Sequence, residues 1–222
     1  MPAVPINNRK QRAEGREQKG INLRKGERSK CMKVVAFNGS PKKEGNTYLL
    51  IQKVFGELHK EGIETEVVHI GGKSLHGCTA CLRCKENLDK KCALPDDGLN
   101  SYIEKMEAAE GIILASPVYF SNVTSEMKAL IDRAGYVSKA NGTLLRRKVG
   151  AAVIAVRRAG ATMVYSDINL FFGIQEMIIP GSSYWNFGIG RLPGEVLKDE
   201  EGISTMETLG KNMAWLLKKL YS

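Results

Sequence analysis

Four of the five cysteines of this 222-residue chain fall in one short stretch, "GCTACLRCKENLDKKCALPDD". They are Cys78, Cys81, Cys84 and Cys92, spaced C-x2-C-x2-C-x7-C. Cysteine thiolates ligate iron–sulfur clusters and structural zinc, and two x2 spacers let one tight loop present three thiolates to a single centre. Zinc pairs usually stand farther apart than these three. Arg83, Lys85, Lys90 and Lys91 surround the motif with positive charge, which suits a net-negative cluster. A third reading keeps the cysteines reduced, as small buried hydrophobes. Disulfides are not expected, because no secretory leader is seen and a reducing, cytoplasmic compartment follows. Cys31 stands apart from the motif.

A second constellation is "NGSPKKEGNT", Asn38 to Thr47. It joins an apolar, β-branched run to a helical pattern. A helix start offers unpaired N–H groups and the positive end of the dipole, and so favours a phosphate. Ser40 and Thr47 add hydroxyls, Asn46 an amide, and Gly39 and Gly45 let the backbone turn and approach closely. No Walker motif is present, and "GIGRLPG" fails the dinucleotide-binding spacing. Further on, "ASPVYFSNVTSEMKALIDR" (115–133) sets Pro117 to Phe120 just past an apolar run. That gives an apolar and aromatic wall of the kind a flavin ring needs. No side chain reads as a catalytic acid or base. His59, His69 and His76 read as structural or surface residues.

The elements that must position these groups follow from periodicity. Buried strands are expected at 32–40, 64–70, 111–120, 148–156 and 176–184, and helices at 46–62, 96–111, 125–138, 162–175 and 201–220. Asn46 reads as the N-cap of the first helix and Gly62 as its stop. Strands alternating with helices imply right-handed crossovers, hence an α/β fold: a doubly wound, five-stranded parallel sheet of order 2-1-3-4-5 with helices on both faces. The cysteines lie in an insert at about 71–95, too long for an ordinary connection.

The net charge of +9 is unevenly spread. Residues 1–30 hold nine Lys or Arg against three Glu, whereas the remainder holds 24 basic and 21 acidic residues. Residues 1–31 are therefore expected to form a disordered basic tail beside one folded domain at 32–222. Nucleic-acid binding is not expected of it. No apolar run is long enough to span a membrane.

"GSPKKEGNT", "ASPVYFSNVTSEMKALIDR" and the cysteine run together resemble the NADPH-dependent FMN reductase family of flavodoxin-like proteins, and within it the iron–sulfur flavoproteins. The resemblance covers about residues 32–220. It implies that Ser40, Pro41, Lys42, Gly45, Asn46 and Thr47 cradle the phosphate of FMN. Pro117, Val118, Tyr119, Phe120 and Asn122 would line its ring. The loop "VRRAGA" (156–161), with Arg157 and Gly160, would close the other edge. This loop departs from the Gly-rich form of relatives: Arg157 and Arg158 would face the flavin's pyrimidine carbonyls, an incoming nucleotide phosphate, or only solvent. Cys78, Cys81, Cys84 and Cys92 would ligate a [4Fe–4S] cluster beside the flavin. The implied activity is that of an FMN-dependent oxidoreductase, homodimeric or homotetrameric, with NAD(P)H or a small electron-carrier protein as donor. Two alternatives stay open: a metal-free NAD(P)H-dependent FMN or quinone reductase, and a redox-responsive interaction protein that holds FMN only as a ligand.

Overall fold

The structure, a computed structural model, describes residues 32–222. The disordered tail and the idle Cys31 expected from sequence fall on residues 1–31, outside the described residues. Five parallel strands form one sheet in the order β2-β1-β3-β4-β5, as the alternation of elements implies. The strands are β1 (Lys33–Asn38), β2 (Glu64–His69), β3 (Gly111–Pro117), β4 (Val149–Val156) and β5 (Phe187–Ile189). The helices are α1 (Asn46–Lys60), a short α2 (Arg83–Asn87), α3 (Leu99–Ala108), α4 (Ser125–Ala140), α5 (Ala161–Ile174) and α6 (Glu200–Tyr221).

Both faces of the sheet are covered, so its central strands are apolar along most of their length. Period-2 alternation sorts their side chains into two cores. Phe37, Leu114 and Ile154 pack with the apolar stripes of α3, α4 and α5. Ala36, Ile113 and Val153 pack with α1 and α6, where Leu50 and Val54 meet Leu209 and Met213. No helix among the described residues is long and apolar enough to cross a membrane.

The fifth strand is not at 176–184. Ile178 bridges Val149, exchanging backbone bonds with Lys148 and Gly150 at 2.9 Å each. Pairing then stops at Pro180, which has no N–H to give. Ser182 turns the chain by bonding the Tyr184 carbonyl and Asn186 Oδ1. The chain rejoins the edge of β4 only at Phe187, opposite Ile154.

One carboxylate joins β5 to α6. Asp199 accepts from the Ile189 N–H at 2.6 Å and caps α6 through the Gly202 N–H at 3.1 Å. Asp199→Ala is expected to lower stability by about 1–2 kcal/mol, with Asp199→Asn losing less. Urea denaturation monitored by circular dichroism measures both.

Candidate functional site

β1 ends on Asn38, whose side chain is fully buried and shapes the following loop. Its carbonyl accepts the N–H groups of Ile70 and Gly71, at 2.9 and 3.1 Å. Its Oδ1 accepts from the Ser40 N–H at 3.0 Å, and its Nδ2 donates to the Lys43 carbonyl at 3.1 Å. The Ser40 hydroxyl accepts from the Lys42 N–H at 3.2 Å, and His69 Nε2 lies 2.8 Å from the Ser40 carbonyl. The loop is thus wound tightly up to Gly45, where α1 begins. Gly45, in extended conformation, is the N-cap, so Asn46 is the first helical residue rather than the cap. No side chain caps this helix. The N–H groups of its first turn, from Asn46, Thr47 and Tyr48, precede the first intrahelical bonds. They sit at the positive end of the dipole, beside buried Ser40 and Thr47 and below the exposed Pro41, Lys42 and Lys43. The arrangement fits a phosphate. The Asn46 amide works elsewhere: it donates to the Leu192 carbonyl at 3.0 Å and accepts from the Gly194 N–H at 2.9 Å. It fastens the "GIGRLPG" loop to the start of α1.

The second loop is tied to the first. Thr124 donates its hydroxyl to the Gly39 carbonyl at 2.9 Å, and its N–H to the Ser116 hydroxyl at 3.1 Å. Tyr119 and Asn122 exchange two backbone bonds of 2.9 Å across a two-residue turn. Phe120 and Ser121, at φ 48° and 59°, take the left-handed conformations that such a turn demands. Pro117 and Val118 are half-buried, Tyr119 is half-exposed, and Phe120 is fully exposed at the tip. The third loop meets the second at Gly160. At φ 89° it is left-handed, and a Cβ there would stand 2.8 Å from Ser121 Oγ and 3.0 Å from Val118 Cγ1. Arg157 and Arg158 are exposed. The residues picked out by sequence therefore converge at the carboxyl ends of β1, β3 and β4. Gly71 was missed. A Cβ on it would fall 2.0 Å from the Ser40 carbonyl oxygen, so only glycine lets the chain leaving β2 pass the phosphate loop.

The cysteines lie farther along. All four line one small cavity of about 20 Å³ that opens to solvent. Its far wall is Arg133, Tyr136 and Val137 of α4. Arg133 is eight residues, about 12 Å, along that helix from its first residue, so the insert folds back along α4 rather than staying at the sheet edge. Among the described residues, no three His, Cys, Asp or Glu are placed to hold one metal ion. A single zinc needs its sulfurs all within about 2.3 Å of one point, whereas a cluster spreads its ligands around a larger body. The insert carries four non-glycine residues in left-handed conformation: Ala80, Leu82, Leu88 and Lys90. Each costs about 1–2 kcal/mol, strain of a kind that collects at functional sites.

Hydrogen-bond donors and positive charge reach these sulfurs. The Ala80 N–H lies 3.4 Å from Cys78 Sγ. The Arg83 N–H, and then its guanidinium, pull the Cys81 thiol below its ordinary value. Burial, reinforced by the other three thiols nearby, pushes the Cys84 thiol up. Cys92 is clamped by Asn100, whose amide accepts its N–H at 2.8 Å and donates to its carbonyl at 3.1 Å. Its sulfur accepts from Arg133 Nε at 3.3 Å. Arg133 is buried and pairs with the partly buried Asp97, and its Nη1 also donates to the His76 carbonyl at 3.0 Å. Removing one partner of such a pair costs about 3–5 kcal/mol, because a buried charge is left alone. Sequence reading missed Arg133, although it stands at helical spacing from Leu130 and Val137 on the apolar face of α4. The rings of His59 and His69 make structural contacts, with Thr65 and with the Ser40 carbonyl, whereas His76 is exposed and bonds to Asp97 and Arg133 through its backbone alone.

Residues 32–191, which hold all of these loops, match the family of NADPH-dependent FMN reductases. The chain belongs to this family. It is a flavodoxin-like, FMN-dependent oxidoreductase. It is 40% identical over 194 residues to an iron-sulfur flavoprotein of Methanocaldococcus jannaschii, covering 84% of this chain and 98% of that one. An iron-sulfur flavoprotein of Methanosarcina thermophila is 33% identical over 189 residues, covering 84% and 96%. Among solved structures, the NAD(P)H:quinone oxidoreductase from Methanothermobacter marburgensis shares the fold, with a TM-score of 0.63 at 16% identity over 83% of this chain and 96% of that one.

Two expectations follow for this FMN reductase. Gly71→Ala must displace the phosphate loop and weaken FMN binding tenfold or more, about 1.4 kcal/mol. Gly77→Ala, where a Cβ would meet open space, should leave it unchanged; flavin fluorescence titration compares them. The second concerns pH. Burial pushes the Asp97 carboxyl up, but its bonds from Arg133 and the His76 N–H outweigh this and hold it below the usual aspartate value. Its contribution is complete above that usual value and is lost as pH falls through the depressed one. Protection of the insert from proteolysis should therefore stay level down to about pH 5 and collapse only in stronger acid.

Proposed function

We propose that this FMN reductase is a cytoplasmic electron-transfer flavoprotein that carries FMN on its edge loops and a [4Fe–4S] cluster on Cys78, Cys81, Cys84 and Cys92. The observation that carries this reading is the convergence of four thiols on one cavity. The name of the M. jannaschii relative supports it. Bound FMN would supply hydride acceptance and one-electron steps, and a cluster single-electron transfer.

The chain's own residues have distinct parts in this reading. Ser40, Thr47 and the first N–H groups of α1 hold the phosphate, with Gly45 giving it room and Pro41 and Lys42 at its rim. Pro117, Val118, Tyr119 and Asn122 bound the ring on one side. Gly160 lets the third loop close up, with Arg157 at the solvent edge, and Phe120 is left exposed at the loop tip. Hydrogen bonds and positive charge at the cysteines stabilise anionic sulfur. NAD(P)H or a small electron-carrier protein is the donor, and the chain works as a homodimer or homotetramer. A metal-free reductase is the second reading, favoured by the packing of Cys84 and Cys92 against the core.

The test is an anaerobic preparation with visible spectroscopy, iron and acid-labile sulfide assays, and chromatography of the heat-released flavin. FMN is expected, with iron and acid-labile sulfide equal to each other at about four per flavin. Each single Cys→Ala change among the four should remove the cluster absorbance and leave FMN bound. Protein without iron after reconstitution would hand the chain to the metal-free reading, and FAD would overturn the phosphate-loop assignment. Thr47→Ala should weaken FMN about fivefold, near 1 kcal/mol.

A further inference from the structure

Arg133 is a full positive charge on the apolar face of α4, 1% exposed. Placing it there is costly unless its partners compensate. Two of those partners share one nitrogen: Nη1 serves both the Asp97 carboxylate and the His76 carbonyl. These two contacts alone would close the base of the insert. Nε, however, is aimed separately at Cys92 Sγ, 3.3 Å away. A neutral thiol is a weak acceptor, whereas an anionic or metal-bound sulfur is a strong one. The third contact therefore gains most when the sulfur carries negative charge. Arg83, the cation beside Cys81, is exposed and so is screened by water and salt. Arg133 is shielded from both.

We propose that Arg133 is the positioning residue of the cysteine centre, fixing the Cys92 sulfur and, through its buried N–H and charge, holding the reduction potential of that centre up. The proposal rests on the cluster reading. Reduction adds negative charge to a cluster, and a buried cation bonded to a ligand sulfur stabilises the reduced form more than the oxidised one. Asp97 works against it. The carboxylate partly cancels the guanidinium charge yet leaves the Nε contact in place.

The experiment uses the full-length anaerobic holoprotein and three variants, Arg133→Gln, Arg133→Lys and Asp97→Asn. Iron retention under chelator challenge and the midpoint potential are read at low and high salt, with FMN content as the check on folding. Arg133→Gln should lose iron several-fold faster and shift the potential negative. Arg133→Lys, which keeps the charge without the fork, should recover part of both. Asp97→Asn should shift the potential the opposite way, positive, and all shifts should persist in high salt. Loosening of the insert alone would move the Gln and Asn variants in the same direction, and that result overturns the proposal, as does an unmoved potential. If Arg133→Gln does not fold, the sign of the Asp97→Asn shift decides. Wild-type protein without iron sinks the cluster and this inference together, whereas iron-bearing wild type with unmoved variants sinks only this inference.

Discussion

A parallel sheet delivers the outgoing chain from every strand to the same edge, and there the ladder stops serving the backbone. Each N–H and C=O that leaves must find another partner. In this protein the outgoing loops serve one another. Ile70 and Gly71 bond back to Asn38, Val118 to Ala155 and Gly190 to Val156, while Thr124 reaches across to Gly39. Those bonds fix the loops relative to one another without a regular element between them. The first turn of α1 is the exception. With no side-chain cap, it offers its N–H groups to whatever acceptor enters, and this opening is what the rest of the edge frames.

The chain thus provides for negative charge twice, by different physics. At the sheet edge the favourable field comes from peptide dipoles, typically about 0.3–1 kcal/mol for a nearby anion and weakened by salt. At the cysteines it comes from a buried formal charge, locked in place by the Asp97 carboxylate, the His76 carbonyl and the Cys92 sulfur. The first suits a ligand that binds and departs as a unit. The second suits a group held as part of the structure. The two are linked mechanically, because α4 begins at the sheet edge with Thr124, bonded to Gly39, as its cap and carries Arg133 two turns farther on.

The periods of the sequence exposed most of the fold. Strand alternation and the stripes of α1, α4 and α6 follow from burial on two faces, and burial repeats regularly enough to be read. The three loops were legible because turn residues and strand ends mark them. The rest depended on contacts between distant positions. Asn46 reads as a cap until its partners, Leu192 and Gly194, are known to lie 146 and 148 residues away. Gly71 carries no local signal, since its role is the approach of Ser40. β5 was misplaced because apolar residues at 177–179 look like a strand, while Pro180 and the Ser182 turn postpone pairing to Phe187. Arg133 did leave a trace, a charge at core spacing, whose meaning required its partners.

The base of the insert has a further consequence. His76 and Asp97, 21 residues apart, are joined by the His76 N–H to the carboxylate at 3.0 Å and again through Arg133. The length-dependent part of closing a flexible loop of that size is about 2.7 kcal/mol of chain entropy. Folding of the sheet and α4 bears that cost before any ligand arrives. The four thiols are thereby gathered on one cavity against α4, rather than strung along a segment tied only at its ends.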